Sequence, residues 1–157
     1  MRKGARDSSL NLQFRQAVIE ELDALLNLEN ICFKEETFQR KQLNYLLGKA
    51  KSIVLVTTIN GIIIGSMIIL LRKHILNARI YSLNVHPDHR RKGIASSLMD
   101  SAIRRLKKNG YKNITLEAGV NNQGAQNLYL SKGFLVDKTL SNYYKDGGDA
   151  LHFKRKL

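Results

Sequence analysis

The chain has 157 residues, 43% hydrophobic and 25% charged, which suits one globular domain with a real core and excludes a fibrous or low-complexity protein. Its 26 Lys and Arg outnumber 13 Asp and Glu, and the formal charge of +13 points to a polyanionic partner: nucleic acid, a phosphorylated cofactor or an acidic surface. Cys32 is the only cysteine, so an intramolecular disulfide is excluded and an intracellular, cytoplasmic protein is expected.

Residues 1–11 begin basic, but Asp7, Ser8 and Ser9 stand where a secretory signal would be apolar, so a flexible basic tail is expected there. Residues 12–18 read as a first strand. Residues 20–30 place Leu22, Leu25, Leu26 and Leu28 at helical spacing, and residues 37–48 do the same with Phe38, Leu43, Leu46 and Leu47. Between them, Cys32 sits in an apolar run with no basic neighbour in sequence to lower its pKa, and reads as a buried structural thiol. Residues 52–71 carry no charge and match a membrane span in length. Asn60-Gly61 in their middle is a hairpin signal, however, and Thr57 and Thr58 also weaken the membrane reading. Two antiparallel strands, about 53–59 and 62–70, are expected. Their near-continuous apolarity fits a sheet covered on both faces.

Residues 79–85 alternate, with Tyr81, Leu83 and Val85 on one face of a fourth strand that stops before Pro87, the only proline. A helix follows over Ile94–Lys108, its apolar face built by Ile94, Leu98, Ala102 and Leu106. Arg90, Arg91 and Lys92 crowd its start, where the helix dipole and unpaired N–H groups already favour negative charge. A bound anion, held by backbone N–H groups around Gly93 and by the flanking cations, resolves the conflict; a solvated basic loop is the alternative. Residues 113–118 form a fifth strand, and Asn121 or Asn122 caps a short helix that ends at Gly133. Strands at 134–136 and about 150–155 complete an α/β chain, a mixed, mostly antiparallel sheet with helices on both faces. Ligands in such sheets bind where strands part, and the fourth strand delivers the basic loop to such a place.

The loop has no Gly-Lys-Ser/Thr of a Walker motif and lacks the first two glycines of a dinucleotide fingerprint. Instead, Arg90-x-x-Gly93-x-Ala95, between a strand and an amphipathic helix, resembles the pyrophosphate loop of the GNAT acetyltransferases. Asn122-x-x-Ala125-x-x-x-Tyr129-x-x-x-Gly133-Phe134 resembles the acyl-CoA half-site of the same superfamily. Leu116-Glu117 and Asn142-Tyr143-Tyr144-x-Asp146-Gly147-x-Asp149-Ala150 are similar to the ribosomal-protein-alanine and N-terminal acetyltransferase branch. The resemblance runs from about Glu20 to the C-terminus and implies a GNAT fold, here expected as a single domain with acetyl-CoA as cosubstrate. It implies acetyl-CoA binding by Leu83, Asn84, Val85, Arg90, Arg91, Lys92, Gly93, Ile94, Ala95 and Asn122. It further implies Glu117 as proton acceptor, Tyr129 as proton donor, and Phe33, Tyr143 and Tyr144 as substrate contacts. On the residues alone, Glu117 also reads as a solvated strand carboxylate and Tyr129 as a core ring.

The implied reaction is acetyl transfer to a protein or peptide α-amine, for example that of a ribosomal protein, by direct attack in a ternary complex. A thiol of pKa about 8.5 and a tyrosine of about 10 make Tyr129 a workable donor to a departing thiolate. Lysine side chains and small amines are alternative acceptors. The rival from another class is a basic RNA- or ribosome-binding module, supported by net charge and by Arg2, Lys3, Arg6 and Lys154-Arg155-Lys156, but lacking an aromatic nucleic-acid signature. No membrane association is expected, and oligomeric state is not legible. His86 and His89 read as loop histidines, because no Cys or carboxylate set at ligand spacing accompanies them. Residues 32–38 lack the Pro and Trp frequent in the family, and Gly148 stands where Glu is usual, which leaves acceptor specificity open.

Overall fold

The structure is a computed structural model that describes residues 12–33, 40–48 and 51–157. The expected basic tail and the first residues of the expected second helix, 37–39, lie outside them. The strands are β1 (Leu12–Gln16), β2 (Ser52–Ile59), β3 (Ile62–Arg72), β4 (Asn77–Val85), β5 (Asn113–Gly119), β6 (Leu135–Leu140) and β7 (Ala150–Lys156). The helices are α1 (Leu22–Cys32), α2 (Arg40–Gly48), α3 (Ile94–Lys108) and α4 (Gln123–Ser131). One mixed seven-stranded sheet runs in the order β1-β2-β3-β4-β5-β7-β6. The chain divides into two compact units, Met1–Ile69 with Ser82–Leu98, and Leu70–Tyr81 with Met99–Leu157.

In the first unit β1 pairs antiparallel with β2 but ends at Gln16, two residues short of the expected boundary. The cause is local. Glu21 accepts the N–H of Val18 at 3.0 Å and pairs with Arg15 at 2.7 Å, which starts a 3-10 turn over Ile19–Glu21 ahead of α1. The Arg15 guanidinium holds the Glu21 carboxyl below its ordinary range. Between β2 and β3, Asn60 (φ 51°) and Gly61 (φ 83°) are both left-handed, the combination a type I′ hairpin turn requires. Residues 53–58 and 63–69 are buried without a break, so both faces of the sheet are covered here. No helix among the described residues is long and apolar enough to cross a membrane, and the uncharged stretch forms this hairpin. At Gly65 a Cβ would lie 3.2 Å from Ile94 Cγ2 and 3.3 Å from the Asn84 carbonyl oxygen, so the missing side chain lets the first turn of α3 close onto β3.

In the second unit, Ile114, Leu116 and Ala118 of β5 are buried and alternate with Thr115 and Glu117 on the other face. The core beneath them includes Phe134 and Phe153, both fully buried. β5 is parallel to β4 over three pairs only, Asn77–Asn113, Ala78–Ile114 and Arg79–Thr115, and antiparallel to β7 along its whole length. β6 is longer than the expected 134–136. It pairs antiparallel with β7 out to Leu140 by absorbing a register shift between Val136 and Lys138. A short apolar run marked its start, but the polar residues that follow carried no strand signal.

Candidate active site

The basic loop of the first unit begins where β4 ends. A 3-10 turn over Pro87–His89 follows His86, whose Nδ1 accepts the N–H of Asp88. His86 and His89 stack edge-on, with ring centroids 5.7 Å apart. Arg91 (φ 62°) and Gly93 (φ 79°) are left-handed, and between extended and helical neighbours such residues turn successive N–H groups toward one concavity. Gly93 suits that backbone, and a Cβ there would meet nothing within 4 Å, so the surface around it is open to a ligand. The Gly93 carbonyl accepts the Ser97 N–H at 2.9 Å, leaving the N–H groups at the head of α3 with no carbonyl behind them. Arg90, Arg91 and Lys92 are exposed, and Arg90 Nε donates to the Val85 carbonyl at 3.0 Å, which ties the loop to the strand end. Cations, free N–H groups and open space together fit a pyrophosphate such as that of acetyl-CoA.

Not every expected ligand of that loop faces it. Asn84 is buried, and its Nδ2 donates to Glu29 Oε2 at 2.9 Å, so its side chain is committed inward. Leu83 and Val85 are half-buried. Phe33 caps the end of α1 and stays exposed. The Cys32 thiol reaches the Val85 carbonyl, and burial pushes its pKa up despite the nearby Arg90, as a structural thiol requires.

Glu29 was not legible as special, because a Glu inside an amphipathic helix usually reaches water. Burial pushes its carboxyl from the ordinary 4.5 up to about 7, against the hydrogen bond from Asn84. The unfolded chain therefore ionises Glu29 before the folded one does, and stability is lost as pH rises from about 4.5 to about 7. Glu29→Gln removes that loss. Its thermal midpoint should exceed the parent's by a few degrees above pH 7 and converge with it below pH 4.5, as read by calorimetry across pH.

The second unit gathers the carboxylate and the phenols. Glu117 is only 11% exposed, and its Oε1 accepts Arg79 Nε at 3.1 Å and Arg79 Nη2 at 2.8 Å. The Tyr143 hydroxyl stands 2.9 Å from Arg79 Nη2 and 3.4 Å from the same Glu117 oxygen. Burial, with Glu117 next in effect, pushes the Tyr143 phenol up, so it stays a neutral donor. Arg79 also lies over the Tyr81 ring at 5.2 Å. The other carboxylate oxygen, Oε2, faces His152 Nε2 at 3.7 Å. Glu117 is thus a positioned carboxylate and not a solvated strand residue.

Tyr129 is buried, packed edge-on against Phe153 at 5.5 Å and tilted against Phe134 at 6.2 Å. Burial, helped by Tyr144, pushes its phenol up to about 12. A donor that weak yields its proton less readily than a CoA thiol, so the structure suits it to hydrogen-bond a departing thiolate more than to surrender the proton early. Asn122, not Asn121, caps α4. Its side-chain oxygen accepts the Ala125 N–H at 3.1 Å. A cleft of about 530 Å³ is lined by Gly119, Asn122, Tyr144, Asp146 and Asp149 among others. Arg79, Asp137 and His152 were missed. The strands of Arg79 and His152 were legible but not the register that brings them to Glu117, and Asp137 lies beyond the expected end of its strand, where a bulge turns it to His152.

Two kinds of likeness to known proteins bear on this arrangement. N-alpha-acetyltransferase MAK3 of Arabidopsis thaliana is 38% identical over 96 residues, 60% of this chain. The chain spans about half the length of that relative, 50%. The ribosomal-protein-S18-alanine N-acetyltransferase of Escherichia coli superposes with a TM-score of 0.85 at 24% identity, covering 93% of this chain and 94% of that one. A chain of the NatC complex bound to Gag peptide and CoA gives 0.84 at 23% identity, covering 94% of this chain and 99% of that one. At such identities these structures establish the shared fold. Residues 19–134, most of the chain, match the model of the Acetyltransferase (GNAT) family. The chain belongs to the acetyltransferase (GNAT) family.

Proposed function

We propose that the chain is a single acetyltransferase domain that moves the acetyl group of acetyl-CoA to the α-amine of a protein or peptide, by direct attack of the amine on the thioester. The observation that carries this reading is Glu117: a carboxylate with one oxygen fixed by Arg79 and Tyr143, in a chain that also holds a cation-rich loop with left-handed backbone at Arg91 and Gly93. The reading assigns pyrophosphate binding to residues 90–95 and the amine's proton to Glu117 Oε2. Tyr129 donates a hydrogen bond to the sulfur as the C–S bond breaks. Tyr144, Tyr143 and Phe33 contact the acceptor. The names of the relatives support an α-amine.

Chemistry supports the same acceptor. An α-amine of pKa about 7.7–8.0 is partly free at pH 7, whereas lysine at about 10.4 puts roughly 3 units, near 4 kcal/mol, between its ammonium and a nucleophile. A lone carboxylate serves the first more easily than the second. Polyamines also meet a chain of charge +13. The same charge supports an acceptor that sits on RNA, such as a ribosomal protein, in the cytoplasm. The test compares thiol release from acetyl-CoA with peptides free at the N-terminus, N-terminally blocked lysine peptides and spermidine. Saturable turnover with the first set alone is expected. Turnover confined to lysine or spermidine overturns the acceptor assignment, and no turnover with any amine, alongside salt-sensitive RNA binding in excess CoA, favours the RNA-binding rival.

A further inference from the structure

On β7, His152 lies between two carboxylates. Its register partner on β5 is Glu117, and its Nε2 stands 3.7 Å from Glu117 Oε2. On the other side its Nδ1 is 2.5 Å from Asp137 Oδ1. That second contact comes from the register shift in β6: Lys138 keeps step with His152, and Asp137 is the extra residue that the bulge turns toward the ring. The hydrogen bond to His152 is the main cause that holds the Asp137 carboxyl below its ordinary range, with Lys138 adding to it.

A carboxylate can only accept, so the proton in the Asp137 contact belongs to Nδ1. With that proton on Nδ1, the ring in its neutral form carries its lone pair on Nε2, the nitrogen that faces Glu117. Arg79 and Tyr143 hold the other Glu117 oxygen, Oε1, and so fix which one faces the histidine. Exposure rises outward along this row, from 11% at Glu117 through 17% at His152 to 43% at Asp137. Carboxylates reach the ring from both neighbouring strands, Glu117 from β5 and Asp137 from β6, and Lys138 of β6 acts on Asp137.

We infer that His152 is a proton-relay residue that acts through Glu117, taking from Oε2 the proton removed from the acceptor amine and passing it toward Asp137 and solvent. This rests on the proton-acceptor reading of Glu117. The balance requires such an exit. As the N–C bond forms and the C–S bond breaks, the ammonium nitrogen loses two protons; the thiolate takes one, and the other must leave the site. The 3.7 Å separation exceeds a hydrogen bond, so the relay requires His152 Nε2 and Glu117 Oε2 to approach each other while Arg79 and Tyr143 keep Oε1. Asp137 keeps Nε2 as the accepting nitrogen, as the carboxylate does in an Asp–His pair that serves a hydroxyl.

The test measures kcat and KM for acetyl-CoA and a free-N-terminus peptide in His152→Gln, Asp137→Asn, the double variant and Glu117→Gln, with and without added imidazole. In His152→Gln, kcat should fall about tenfold, below the full span of a lost general base, with both KM values held within about twofold. Imidazole should restore that variant severalfold and leave the parent unchanged. Asp137→Asn, a surface change that spares the fold, should lower kcat about threefold on its own and add nothing to His152→Gln, the non-additivity of residues that act in series. An unchanged kcat in His152→Gln, or a loss that imidazole does not touch, overturns the relay while a slow Glu117→Gln leaves the reading of Glu117 standing. Parent-level activity in Glu117→Gln overturns that reading first, and the relay with it.

Discussion

Glu117→Gln lowers kcat by about 10²- to 10³-fold while acetyl-CoA affinity stays within a few-fold, the span expected when a positioned general base is removed but donor binding is spared. The glutamine still offers an oxygen to Arg79, so the guanidinium is not stranded and the loss reports chemistry more than folding. Tyr129→Phe keeps the ring that packs on Phe153 and Phe134 and deletes only the hydroxyl, so kcat falls by about 10- to 10²-fold with little loss of stability. A phenol pushed up to about 12 stays protonated through pH 10. No basic limb of the rate profile below that pH belongs to Tyr129, and removing the hydroxyl leaves the shape of the profile unchanged. Steady-state rates across pH check both statements.

Arg90→Ala combined with Arg91→Ala weakens CoA binding by about 10- to 100-fold at low salt, roughly one charge-assisted contact's worth per residue after screening. The deficit narrows as salt rises, because exposed cations contribute less when counterions compete. The two positions differ in kind. Arg90 also ties the loop to Val85, while Arg91 holds a left-handed backbone at φ 62° that a non-glycine residue adopts at a cost. Arg91→Gly therefore loses the cation but relaxes the turn, and it should be more stable and still weaker for CoA than the parent. Calorimetric titration of CoA at two salt concentrations separates charge from loop geometry. Equal affinity in the double variant would remove the loop from the donor site.

What the sequence made legible was whatever depends on neighbours along the chain. The Asn60-Gly61 turn, the apolar periodicity of α3 and the cap at Asn122 are all local patterns, and each has the structure its chemistry requires. Glu117 and Tyr129 came from spacing matched to a family, and the structure gives them environments no spacing could supply: an arginine clamp for one, a dry aromatic bed for the other. Arg79 shares the strand parity of Tyr81, yet nothing in the sequence states that Thr115 lies beside it and Glu117 within reach. Asp137 is harder still, since a bulge shifts parity by one and turns its carboxylate to the ring. Asn84 shows the converse. Its position in β4 matched a ligand-binding stretch, but its amide is spent on a buried Glu29.

The central claim is transfer of an acetyl group to an α-amine. The most direct measurement is to incubate the protein with acetyl-CoA and one peptide that carries both a free N-terminus and an internal lysine, and to locate the modified nitrogen by tandem mass spectrometry. The α-nitrogen should carry the acetyl group at pH 7, and Glu117→Gln should abolish most of it. An acetyl group on the lysine Nζ with the N-terminus untouched would contradict the account.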